Sequence, residues 1–260
     1  MRSIDRRHAL SAAALALGAG TTLRASSALA QAPDLTIYSG GAVKSALVVV
    51  AERFQAATGA RLALEFHPMG PLTRRLREGA TPDIVVLTRE VMDEIATTTL
   101  VRADGATEVG RVAIGVAVHE SAPAPDISTP EAFKATLLAA KSLVYIDPER
   151  GTSGRHFAAV LQTLGIAEAM KPKTRLGDGG YVVEPVGRGE VEIGVHQITE
   201  ILPVKGVRLV GPLPAALQKE TIYVAALTQG AKDPARARDF LAFLRAPATR
   251  TIFAARGFIE

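Results

Sequence analysis

Apolar residues recur along this chain in two alternating periods, one suited to strands and one to helices. Leu35 to Tyr38 is a short apolar run, and Val43, Leu47, Val50, Ala51 and Phe54 then follow a helical period over Ala42 to Ala57, stopped by Gly59. Arg61 to Phe66 predicts a second strand running into His67-Pro68-Met69-Gly70-Pro71. A helix follows from Leu72 to Glu78, and Pro71 suits its first turn, where no N–H is needed. Asp83 to Leu87 predicts a third strand and Arg89 to Ala96 a third helix. Three strand-then-helix units of this length argue a mostly parallel sheet covered by helices, an α/β fold.

The pattern then restarts. Gly110 to Val118 reads as one long strand, Thr129 to Ala140 as a helix and Leu143 to Ile146 as a strand. Asp147 to Gly154 turns into a helix from Arg155 to Leu164. Tyr181 to Gly187 reads as a short helix, Val191 to Val195 as a strand ending at His196, and Val207 to Val210 as a short strand between prolines. Thr221 to Leu227 is the last predicted strand, followed by helices over Pro234 to Leu244 and Ala248 to Ala255. The restart predicts two lobes: 31–110, then 111–204, then a return to the first lobe over 205–260. Strand, glycine-containing turn and helix come together at Ser39-Gly40-Gly41, at His67 to Pro71 and at Asp147 to Gly154. Such turns aim free backbone N–H groups beyond the carboxyl ends of the strands, and two facing lobes would gather them around one anion-binding cleft.

Residues 1–30 fall outside this scheme. Arg6-Arg7 precedes the apolar stretch Ala9 to Ala19, and Ala28-Leu29-Ala30 fits a small-x-small cleavage site, so a twin-arginine-like export signal is expected. The full chain of 260 residues is formally +4, but Arg2, Arg6, Arg7 and Arg24 against Asp5 put three of those charges in the leader, leaving about +1. The basic balance therefore gives no reason to expect a nucleic-acid partner. With no cysteine, disulfides, thiolate chemistry and sulfur-ligated metals are excluded. Five scattered histidines give no metal-ligand spacing, and no segment after the leader is long and apolar enough to span a membrane. Gly-x-Ser-x-Gly and His-Glu-x-x-His are both absent, and Ser153 beside His156 reads as a helix start rather than as nucleophile and base.

The order of segments resembles the periplasmic substrate-binding proteins of ABC importers, of the type II class with two crossing strands, and within them the molybdate-binding branch. The resemblance lies in Leu35 to Val43, in the small-x-x-x-Asp-apolar run Gly79 to Leu87, in Asp147 to His156 and in Gly189 to His196. It implies a two-lobed fold with a ligand cleft between the lobes, a periplasmic location and an ABC permease as partner. In that branch a serine in the first loop, a serine in the second, backbone groups in the third and a tyrosine after the returning strand hold the oxyanion. Ser39 matches the first, but the second serine falls at Met69 or Gly70 and the tyrosine at His196. Two lost hydroxyls would leave a small, dry oxyanion with unmet acceptors.

The remaining set is Ser39, Gly40, Gly41, Met69, Gly70, Arg89, Gly151, Thr152, Ser153, Tyr181 and His196, with His67 beside it. It suits an organic di- or tricarboxylate better than molybdate. The expected function is capture of such an anion for import, with no cofactor. The alternative is a cofactor-independent aconitate isomerase, since those enzymes resemble the same branch; His67 or His196 would then move the allylic proton.

Overall fold

The computed structural model describes residues 32–102 and 105–259. The expected export signal, residues 1–30, lies outside them. The chain begins β1 (Leu35–Gly40), α1 (Lys44–Thr58), β2 (Leu62–His67), α2 (Met69–Arg77), β3 (Ile84–Thr88) and α3 (Arg89–Ala96). Next come β4 (Thr107–Val112), β5 (Ile114–His119), α4 (Pro130–Ala139), β6 (Leu143–Ile146), α5 (Thr152–Thr163) and α6 (Ala167–Met170). β7 (Thr174–Gly177), α7 (Glu184–Gly187), β8 (Ile193–Gln197), α8 (Ile198–Ile201) and β9 (Val207–Pro212) follow. β10 (Thr221–Leu227), α9 (Pro234–Arg245) and α10 (Pro247–Ala254) complete it.

The strands form two sheets, ordered β2-β1-β3-β10-β4 and β7-β6-β8-β5-β9, each flanked by helices in an α/β lobe. Within each sheet the strands that feed the glycine-containing turns run parallel: β1 with β2 and β3, and β6 with β7 and β8. Their carboxyl ends therefore share one edge, and that edge of each lobe carries the turns. The run Gly110 to Val118 is not one strand. It divides at Ala113 into β4 of the first sheet and β5 of the second, so the residue that looks like mid-strand is the first crossing.

The second crossing comes after Pro212, since β9 pairs with β5; the return to the first lobe runs through Leu213 to Glu220 rather than starting at 205. Gln218 ties the two crossings together: its Oε1 accepts from Ile114 N at 3.1 Å and its Nε2 donates to Ile114 O at 2.7 Å. Two further differences are local. The helix expected over Tyr181 to Gly187 is confined to α7, and β7 forms an edge strand that its short, arginine-bearing and largely exposed sequence concealed.

Each lobe has its own core. Leu35, Ile37, Val50, Leu72 and Val86 are fully buried in the first, with Phe54 edge-on to Phe240 at 5.1 Å. Phe133, Leu137 and Phe157 fill the second, with Tyr145 edge-on to Phe157 at 5.0 Å. Full burial of such side chains contributes about 2 kcal/mol each. Asp83, in the small-x-x-x-Asp-apolar run, serves this frame: its carboxylate accepts from Thr36 N at 2.7 Å, Thr36 Oγ1 at 2.8 Å and Lys232 N at 2.6 Å. One side chain thereby joins β1, β3 and the segment after β10.

Candidate functional site

Six segments from both lobes meet around a cavity of about 30 Å³, room for about two water molecules. Lobe 1 supplies Gly40, Gly41 and Ala42 after β1, Pro68 and Met69 after β2, and Tyr223 from β10. Lobe 2 supplies Gly151, Thr152 and Ser153 at the start of α5, Gly180 after β7, and His196, Gln197 and Glu200 at the β8–α8 junction. The lobes touch across it. Gly70 N donates to Arg150 O at 3.0 Å, and Lys44 Nζ lies 5.4 Å from the Tyr181 ring.

The helix starts that face the cavity carry no side-chain cap. Gly40 precedes the short turn into α1, Pro68 precedes α2 and Gly151 precedes α5, and none of them has a side chain that accepts from the first N–H groups. Away from the cavity, Thr88, Thr129 and Asp233 do cap α3, α4 and α9. The first N–H groups of a helix have no partner within it, so the cleft presents donors at its turns.

The chemistry concentrates on one buried pair. His196 Nε2 lies 3.2 Å from Glu200 Oε2 and 3.1 Å from Gly180 O, while Nδ1 lies 3.2 Å from Ser153 Oγ. Both side chains are almost wholly buried, at 2% and 8% exposure. Burial works against the imidazolium, but the charge and hydrogen bond of Glu200, aided by the Gly180 carbonyl, outweigh it and hold His196 protonated above the usual histidine range. The protonated ring then donates Nε2–H to Glu200 and Gly180 and Nδ1–H to Ser153. Glu200 reaches the opposite lobe as well. A Cβ on Gly41 would lie 2.6 Å from Glu200 Oε1, so any larger residue there would force the carboxylate to shift.

Tyr223 is buried behind Gly40. Burial, and to a lesser degree the Glu200 charge, push its phenol above the ordinary tyrosine range against the effect of a hydrogen bond with Thr152, so it remains a neutral donor.

The raised His196 value gives a pH signature. A group whose pKa rises on folding adds stability that is complete below its unfolded value, near 6.5, and that is lost as pH climbs through the folded value. The thermal midpoint of the wild type, measured against His196→Gln from about pH 6 to about pH 9, is expected to lose its advantage as pH rises. An unchanged difference across that range would contradict the pairing.

Of the residues expected from the sequence, Gly40, Gly41, Met69, Gly151, Thr152, Ser153 and His196 line the cavity. The others lie elsewhere. Ser39 is fully buried and its Oγ donates to Gly40 O at 3.1 Å, so its hydroxyl is taken up beneath the turn. Gly70 spends its N–H on Arg150 in the lobe contact, and Tyr181 stands under Lys44. Arg89, the first residue of α3, pairs with Glu108 at 3.0 Å. His67 is held in a cluster of its own: Arg75 Nη1 donates to His67 Nε2 at 2.5 Å and to Glu65 Oε2 at 2.8 Å, and stacks on Tyr38 at 4.6 Å. Glu200 and Tyr223 were not expected. The i, i+4 spacing of His196 and Glu200 was the available signal for the first; Tyr223, inside an apolar strand, offered none.

A model of the bacterial extracellular solute-binding protein family matches residues 35–259. The chain belongs to this family. An aconitate isomerase from Pseudomonas sp. is 32% identical over 238 residues, spanning 88% of this chain and 89% of that protein. The molybdate-binding protein ModA of Escherichia coli K12 is 25% identical over 240 residues, spanning 90% and 92%. In structure, the periplasmic molybdate-binding protein of Azotobacter vinelandii superposes with a TM-score of 0.75 at 14% identity, over 87% of this chain and 99% of that one. The sulfate-binding protein SubI of Mycobacterium tuberculosis does so with 0.68 at 16% identity, over 86% and 85%. The two-lobed architecture is thus that of the periplasmic binding proteins. Among the described residues no helix is long and apolar enough to cross a membrane.

Proposed function

We propose that the cleft binds a small organic polycarboxylate, outside the cytoplasm after export, and shifts a double bond in it by moving a proton, as an aconitate isomerase does. The observation that carries this reading is the buried His196–Glu200 pair facing N–H donors from both lobes. A fully ionised oxyanion such as molybdate has no proton for a buried carboxylate to accept. An allylic carboxylate, in contrast, has an acidic C–H that needs a base. The identity to an aconitate isomerase over most of both chains supports the same choice.

In the proposed step Glu200 takes a proton from the methylene carbon, the allylic π-system shifts, and the imidazolium of His196 returns a proton to the far carbon. The proton on Glu200 then passes back to His196 across their 3.2 Å contact. One proton leaves carbon, one returns to carbon, and no oxidant or reductant is needed. The negative charge that develops on the substrate carboxylate is met by the first N–H groups of α5 and of the Gly41 turn and by the Tyr223 hydroxyl, which are fixed in place beforehand.

A second reading, capture of the same anion for an ABC permease without conversion, is favoured by the family match. Both readings share the ligand. A thermal-shift screen of the chain without residues 1–30 is expected to raise the unfolding midpoint by roughly 5–10 °C with cis- or trans-aconitate at about 100 times Kd. Stabilisation by molybdate or sulfate, with none by the tricarboxylates, would overturn the carboxylate assignment.

A further inference from the structure

The cavity beside His196 and Glu200 is far smaller than a tricarboxylate. A second cavity of about 230 Å³ lies against it, and Thr152 lines both. It too lies between the lobes, on the side of the crossing strands, with Glu90 and Thr221 from lobe 1, Arg155 and His156 from α5, and Lys219 from the returning segment.

Its charges are unequally matched. Lys219 Nζ is paired with Glu90 Oε1 at 3.2 Å, and His156 Nε2 donates to Leu217 O at 2.7 Å. Arg155 is exposed, and among the described residues its guanidinium has no partner. The wall therefore offers one uncompensated cation with a forked set of donors, the geometry that takes a carboxylate in two hydrogen bonds.

The spacing fits a short polycarboxylate. Residues three apart on a helix share a face, and Arg155 stands one turn along α5 from Thr152. Three residues advance about 4.5 Å along the helix, comparable to the separation of the terminal carboxylates in a short-chain tricarboxylic acid. We infer that the Arg155 wall is a subsite for the distal carboxylate of the ligand. One end of the molecule lies on the turn N–H groups beside Glu200, and the other passes Thr152 to the guanidinium. This makes Arg155 the residue that sets the ligand's length and charge, and it rests on the polycarboxylate reading above.

Calorimetric titration with tricarballylate, a saturated tricarboxylate that cannot be isomerised, tests the assignment; malonate, whose two carboxylates share one carbon, is the comparison. Arg155→Gln is expected to weaken tricarballylate binding about tenfold or more, the effect of losing a hydrogen-bonded charge, and to leave malonate binding unchanged. Arg155→Lys should recover part of the loss. The ligand-free unfolding midpoint should not move, because the side chain is exposed and unpaired. Equal tricarballylate affinity in wild type and Arg155→Gln would overturn the subsite alone. A wild type that binds neither compound would overturn the polycarboxylate reading, and the subsite with it.

Discussion

Glu200→Gln is expected to slow the proposed isomerisation by about two to four orders of magnitude, the usual contribution of a positioned acid or base. The amide keeps the shape of the carboxylate against Gly41 but cannot accept a proton from carbon. It also removes the charge that raises His196, so the imidazole falls back toward its ordinary range and returns a proton less readily at neutral pH. Ligand binding should change much less, because the N–H donors at Gly41, Thr152 and Ser153 are untouched. Single-turnover rates and calorimetric affinities on the same preparation separate the two effects. A variant that retains the wild-type rate would remove Glu200 from the chemistry. Glu200→Ala is a poorer probe. It also empties the buried space beside His196, and the cost of that cavity would let lost folding be confused with lost catalysis.

Gly154→Ala is expected to be the most damaging single-methyl change in the fold. α5 starts directly above the end of β6, and a Cβ at position 154 would lie 1.9 Å from Ile146 O. The obstacle is backbone rather than the tip of a flexible side chain, so relief requires the helix or the strand to move. Overpacking of this kind costs about 3 kcal/mol, which for a chain of this size lowers the unfolding midpoint by roughly 6–12 °C. Because Ser153 and Thr152 lie in the same turn, a surviving protein should also bind ligand more weakly. A midpoint within roughly 2 °C of wild type would mean that α5 tolerates displacement and does not hold the cradle rigidly.

The fold could be read from the chain because strand–turn–helix repeats dominate it. Leu35 to Gly59 and Asp83 to Ala96 carry their periods openly, and the small-x-x-x-Asp-apolar run marks a residue that does join β1 to β3. The crossing at Ala113 was hidden because an apolar strand leaving one sheet and entering the next never breaks its pattern. The site was legible only in part. Turns that point N–H groups at a cleft are local features, so Gly40, Gly41 and Gly151 to Ser153 could be found. Ser39 could have been excluded by alternation, since it shares the face of the fully buried Leu35 and Ile37. His67 could not, because its partner Arg75 is supplied by α2 and Tyr38 by β1. Tyr223 arrives from β10 by the chain's second crossing, and no local pattern announces such a contact.

In the proposed reaction the buried His196–Glu200 pair moves a proton on a bound carboxylic acid. Proton NMR of trans-aconitate in deuterium oxide with the chain lacking residues 1–30 tests this step. Interconversion with cis-aconitate is expected, with deuterium entering the carbons at both ends of the allylic system, and loss of both signals in Glu200→Gln. Aconitate that binds yet keeps its double bond in place and its carbon-bound protons unexchanged would contradict it, and would leave capture for transport as the function of the cleft.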